Sequence, residues 1–429
     1  MATLRYGANS SVQIEFGACT LLAECGGPRS ARPAPLAEAV HDVLAKPVGL
    51  PALSRCITPS DQITIALEAG VPEAAEVAAA VVRYLVDSAV DPDGITVLRS
   101  APPAGGEPQN PTAAIPADLL RRIRLVDHDP RDRASLAYLA ASHSGEPIWL
   151  NRALTDADVV LPIGCAHGRA VPGHFGLHSA IYPTFADYQA QARFRSPQAL
   201  GARGRHRKGF VDAVAEIGWL LGIAFTVQVI PGAGGAFHQV VAGSPDQVRR
   251  RVRAVYDQTW RWDVPRRAGV VVVGIEGGPE QQTWANVARA LTAAMDCVRD
   301  EGTVIVCCEV AEAPGEAVES LRAARSHQQA VRAMTNKPPD DALTAVQLAR
   351  AIERVNLFLR SRLDPDMLED LLIGAIQPFH QAAVQISGTP RHLNYAAGSP
   401  RVTIAAVPQK FLPQYLGRPD SFFFRRLAP

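Results

Sequence analysis

Short runs of β-branched and aliphatic residues alternate with helix-period segments along almost the whole chain, and this alternation constrains the fold more than any single motif. The apolar runs Ile63–Leu67, Ile95–Leu98, Ile123–Val126, Val159–Pro162, Phe225–Ile230, Val270–Ile275, Thr303–Val306, Val355–Leu359 and Val402–Val407 read as buried strands. Helices are expected over Pro72–Val86, Arg133–Ser142, Phe210–Leu221, Asp246–Gln258, Gln281–Arg299, Gly315–Arg325, Leu343–Arg354 and Asp366–Ile376. Such alternation builds βα units, so the expected class is α/β, with mostly parallel sheets flanked by helices. Ser244-Pro245-Asp246 and Asp364-Pro365-Asp366 each place a capping side chain before an early proline, a helix-start signal.

A chain of 429 residues exceeds one ordinary core, so two domains with an interdomain cleft are expected. The segment Thr259–Gly269, TWRWDVPRRAG, ends a charged helix and precedes a fresh apolar strand. The boundary is set there, giving domains 1–265 and 266–429. Gly26–Pro35 and Ala101–Pro116 are Pro/Gly-rich and read as surface loops. Gly201–Gly209, GARGRHRKG, reads as a basic loop, either a solvated turn or a phosphate contact.

With 43 Lys+Arg against 42 Asp+Glu, bulk charge favours neither nucleic acid nor membrane as a partner. Seven cysteines without a C-x-x-C pair fit reduced thiols. The amino terminus lacks a signal-peptide pattern. The longest apolar stretch, Gly218–Ile230, is too short for a bilayer and is interrupted by Thr226 and Gln228. A cytoplasmic location is therefore expected. The sequence specifies no oligomeric state.

Chemistry-bearing residues concentrate in Thr155–Pro183, TDADVVLPIGCAHGRAVPGHFGLHSAIYP, where a strand enters a loop carrying His167, His174 and His178. Open α/β sheets bind ligands at the carboxyl ends of their strands. The layout, a strand followed by glycines at Gly164, Gly173 and Gly176 and a proline at Pro183, resembles the core motif of the nickel-pincer-nucleotide lactate racemases. Ile148–Leu161, Gly274–Leu291 and Thr344–Leu368 are similar to further segments of that family, in the same order.

The resemblance implies two opposing acid/base histidines, a lysine tethering the pincer nucleotide and a nickel-binding histidine. Counted without gaps from Gly164, one acid/base histidine falls on Arg169, the lysine on Ser179 and the nickel ligand on Arg195. RSAPPAGGEP after Ile95–Leu98 holds no second acid/base histidine. LEAGVP replaces the family's Asp-His-Thr-Arg-Pro, with Ala69 where the arginine is expected. Arginine stays protonated and offers a metal no lone pair, and serine has no amine for a tether. A covalent cofactor tether and a metal site are therefore not expected.

His167, His174 and His178 do not have a standard metal spacing. His174 and His178 are the candidates for a relocated base. Asn286 and Arg289, three apart, can share a helix face. Arg169, Arg195 and Arg289 either converge on the cleft to grip a carboxylate or phosphate, or each makes a structural ion pair. Gly173 and Gly176, like Gly277 and Gly278, allow close backbone approach to a ligand or serve tight turns.

Lesser motifs weigh less. Pro231–Phe237, PGAGGAF, reads as a hairpin or connecting turn rather than a dinucleotide loop. His128-Asp129-Pro130 either orients a histidine or starts a helix. The expectation is a divergent lactate racemase-like protein that binds a small anionic metabolite, a hydroxy acid or nucleotide, without nickel-pincer racemisation. The alternatives are an active 2-hydroxy-acid racemase or epimerase using relocated residues, and a protein whose cleft is vestigial.

Overall fold

The computed structural model describes residues 2–15, 20–26, 28, 34–100, 110–167, 173–202, 204–261, 264–324, 326–335, 337–376, 384–385 and 401–407. The chain forms two compact units. One holds residues 30–256 and 332–343, and the other holds 1–29, 257–331 and 344–429.

In the first unit a six-stranded sheet runs, in spatial order, Phe237–Gly243, Thr226–Pro231, Val159–Cys165, Ile63–Leu67, Ile95–Arg99 and Arg124–Asp127. All neighbours are parallel except the first pair, an antiparallel hairpin across the PGAGGAF turn. The central strand Ile63–Leu67 is buried at every position, as a strand covered on both faces must be. Flanking helices show matching apolar stripes. In Pro245–Trp260, Val248, Val252, Val255 and Tyr256 are buried at helical spacing, while Arg249, Arg250, Arg251 and Arg253 face solvent.

The second unit is built on the parallel order Gly374–Ala375, Asn356–Arg360, Val298–Cys307, Ala268–Ile275, Arg401–Val407 and Thr20–Gly26. An amino-terminal hairpin, Ala2–Tyr6 with Ser10–Glu15, packs Leu4, Tyr6, Val12 and Ile14 onto Val270, Val272, Ile305 and Cys307. Its turn residue Gly7 takes φ +61° and donates its N–H to Ile275 O at 2.7 Å.

All the expected strands form, with ends moved by a few residues at most except Val298–Cys307, which begins five residues early. Four expectations change. The boundary at 265/266 gives way to a division at 256/257, and residues 1–29 join the carboxyl-terminal unit because their hairpin and strand pair and pack there. Arg133–Ser142 is not a helix: Leu136–Ala141 pairs antiparallel with Pro147–Asn151, and the Tyr138 and Trp149 rings meet edge-on at 5.5 Å. Cross-strand pairing overrides the modest helix propensity of this alanine-rich stretch. Residues 204–209 of the basic loop are helical, within the continuous helix Gly204–Leu220. The helix after Asp364 stops at Asp370, where Leu372 turns left-handed at φ +60° and Gly374–Ala375 joins the sheet.

Two glycines give opposed expectations. A methyl at Gly274 would stand 2.2 Å from Arg5 O, within the seat of the hairpin. At the exposed Gly209, inside the Gly204–Leu220 helix, it would meet nothing within 4 Å. Gly274→Ala is expected to lower the unfolding free energy by about 2 kcal/mol or more, as overpacking against backbone does. Gly209→Ala should be neutral or raise it by about 0.5–1 kcal/mol. Denaturant titration of both variants checks the pair.

Candidate functional site

The sheet of the 30–256 unit dictates where a ligand can sit. From Ile63–Leu67 the chain moves to Ile95–Arg99 on one side, then returns to Val159–Cys165 on the other. Connections that depart in opposite directions leave a crevice at the carboxyl ends of those two central strands.

Glu68 stands at that switch point. Its N–H donates to Ile163 O at 3.0 Å, and its Oε2 accepts the Cys165 N–H at 3.0 Å, so the carboxylate laces the ends of both strands. The next N–H, of Ala69, donates to Ser100 Oγ at 2.7 Å. Glu73 closes the same loop with left-handed backbone, φ 48° and ψ 46°, and its Oε1 accepts the Phe237 N–H at 3.1 Å. A non-glycine residue in that conformation stores roughly 1 kcal/mol or more, a feature common beside ligand sites.

The histidine loop follows Cys165. The His167 and His174 rings lie 4.0 Å apart between centroids. Arg207, from the helix expected to be a loop, donates to His174 O at 2.6 Å and sets its guanidinium 5.1 Å above the Phe175 ring. Burial, then the Arg207 charge, push His174 down to about 3, so its imidazole is neutral at physiological pH. Burial also lowers His178, against a smaller upward pull from Asp246. The His178 ring packs on Gly218, where a methyl would stand 2.4 Å from its Cδ2. Its buried Nδ1 meets no hydrogen-bond partner among the described residues.

Ser179, at the place the resemblance gives to lysine, is buried and accepts the Phe175 N–H at 3.0 Å. The hydroxyl thus closes a tight turn. Gly176, φ +129°, starts that turn with open space around it, and Gly173, φ +80°, would bring a methyl 3.3 Å from Leu343. Both need glycine for backbone reasons. Arg195 ends the helix Tyr188–Arg195 and pairs with Asp340 at 2.8 Å. Arg169 lies outside the described residues.

Asn286 and Arg289 belong to the other unit and do share a helix face: Arg289 Nη1 donates to Asn286 Oδ1 at 2.6 Å. Asn286 Nδ2 donates to Gln281 O at 2.7 Å, so the buried amide fixes the start of its helix while orienting Arg289. Elsewhere in the first unit, His128 is buried, with Nε2 2.9 Å from Ala186 O and Asn151 and Gln191 beside the ring. It orders that core and starts no helix.

Sequence reasoning missed Glu68, Arg207 and Gln228 as site residues. For Gln228 a signal existed, since it and Thr226 are the polar side chains in an otherwise apolar strand. Glu68 and Arg207 become visible only in the folded chain, Glu68 at a strand end and Arg207 on the helix Gly204–Leu220.

At the places the resemblance gives to the tether and the nickel ligand, the Ser179 hydroxyl is engaged by its own turn and Arg195 carries a guanidinium bound to a carboxylate. Among the described residues no group of three or more His, Cys, Asp or Glu side chains is placed to hold a metal ion.

The sheet order, with its switch point between the two central strands, defines an open-sheet α/β protein. Residues 7–194 match the lactate racemase N-terminal domain family. The fold is that of the lactate racemase apoprotein from Thermoanaerobacterium thermosaccharolyticum, with a TM-score of 0.71 at 15% identity over 87% of this chain and 92% of that one. A protein from Thermotoga maritima is also similar, with a TM-score of 0.59 at 13% identity over 79% of this chain and 91% of that one. No curated protein matches by sequence. The family match covers the amino-terminal part of the chain. At these identities the structural likeness is one of fold. No helix among the described residues is long and apolar enough to cross a membrane.

The histidines make stability pH-dependent. Unfolded imidazoles take a proton near pH 6.5, about the ordinary value. Folded His174 resists until about 3, and His178 and His128 shift the same way. Between those values the unfolded chain binds more protons. Stability is therefore full above pH 6.5 and declines as pH falls toward 3. Melting temperatures from pH 7.5 to 4 should show that decline, and it should be shallower in His174→Gln.

Proposed function

We propose that this lactate racemase-like protein binds a small anionic metabolite, a hydroxy acid or nucleotide, at the carboxyl end of the sheet in the 30–256 unit, and does not run nickel-pincer racemisation. The observation that carries the reading is Ser179, a buried hydroxyl closing a turn where racemisation in the family's manner requires an amine. Arg207 supplies local positive charge beside the histidine loop, and a guanidinium stays charged even when burial lowers its pKa. The protein works in the cytoplasm, with neither nucleic acid nor membrane as a partner.

A second reading, an active 2-hydroxy-acid isomerase with relocated residues, draws on the paired His167 and His174 rings. An efficient general base has a pKa near the working pH. His174, at about 3, is far below it, so the binding reading is the stronger.

The test is production of the protein together with the enzymes that synthesise the pincer nucleotide, followed by nickel analysis and a lactate racemisation assay. The expected result is no stoichiometric nickel and no racemisation. Calorimetry against carboxylates and nucleotides should register binding. Stoichiometric nickel with turnover overturns the proposal, and a non-covalent pincer nucleotide seen by native mass spectrometry would favour the second reading.

A further inference from the structure

Gln228 pairs in register with Gly164, and Glu68 follows Leu67, whose partner is Ile163. Gln228, Gly164 and Glu68 therefore form one row across the sheet at its carboxyl edge. The two side chains lean over the glycine from opposite sides: a methyl at Gly164 would stand 2.6 Å from Gln228 Nε2 and 3.2 Å from Glu68 Oε2. The Leu177–Ala180 turn approaches the same place, with Ala180 Cβ 2.9 Å from that methyl position. Gly164 thus leaves room for two polar groups.

Gln228 is 3% exposed, and its Nε2 has no hydrogen-bond partner among the described residues. A buried amide donor left unmatched is unfavourable and uncommon in a folded protein. Glu68 is half-buried and holds the Cys165 N–H, so the row is closed at the glutamine and partly open at the carboxylate.

We propose that this row reads a hydroxyl group of the ligand, an inference that rests on the anion-binding reading above. An alcohol oxygen accepts the Gln228 N–H while its proton is donated to Glu68. A methylene offers neither partner, and a carboxylate or phosphate oxygen there would meet the Glu68 charge. The row therefore takes the neutral, hydroxylated part of the molecule, and the anionic end lies away from it.

Calorimetry on the whole chain with matched pairs tests this: L-lactate against propanoate, glycerol 3-phosphate against propyl phosphate, and AMP against its 2′-deoxy form. The hydroxylated member of at least one pair is expected to bind tenfold or more tightly. Gln228→Met should reduce that preference to twofold or less while leaving the deoxy member's affinity in place. The melting temperature of ligand-free Gln228→Met should equal or exceed that of the wild type, because the unmatched donor is gone. Equal affinities within every binding pair overturn the proposal but leave the anion-binding reading standing. If no anion binds, both fall. A melting temperature several degrees lower, with the preference intact, assigns Gln228 a structural partner such as a fixed water and also overturns the proposal.

Discussion

The lacing of two strand ends by the Glu68 carboxylate and backbone is the contact on which the candidate site depends. A parallel sheet leaves backbone donors unpaired where its strands stop, and a buried N–H requires a partner. At the switch point the Cys165 N–H finds a carboxylate, and the Glu68 N–H finds Ile163 O. With those ends tied, the loop to Glu73 is drawn across to Phe237, and the chain leaving Cys165 enters the histidine loop. Strain at Glu73 is tolerated because its carboxylate and the helix behind it fix it from both sides.

The fold is that of the lactate racemase apoprotein. Ser179 and Arg195 are each tied to neighbours within their own unit. Arg207 reaches the carbonyl of His174, whose basicity is depressed first by burial and then by the Arg207 charge.

Most of the layered architecture was legible from residue patterns, since continuous apolar runs of four to eight residues that alternate with helical stripes form buried strands far more often than anything else. The hairpin after Pro231 and the Asp364 cap were legible for the same local reason: the Asp364 side chain accepts the Asp366 N–H at 3.0 Å. Leu136–Ala141 misled because alanine favours helices, and only its distant partner Pro147–Asn151 makes it a strand. The amino-terminal hairpin was invisible as part of the second unit because the residues it packs on lie more than 250 positions away, about as non-local as a pairing can be. In the site, the histidine loop stood out by composition, whereas the polar row over Gly164 needed sheet register.

The sequence alone determined the class of fold and the order of its strands along the chain. These follow from side-chain identity and short-range periodicity. Tertiary structure alone decided that Ser179 closes a turn, that Asn286 orients Arg289 and that Gln228 and Glu68 face each other. Those facts depend on which strands lie side by side and in what register, and register is set by long-range packing that no local run of residues encodes.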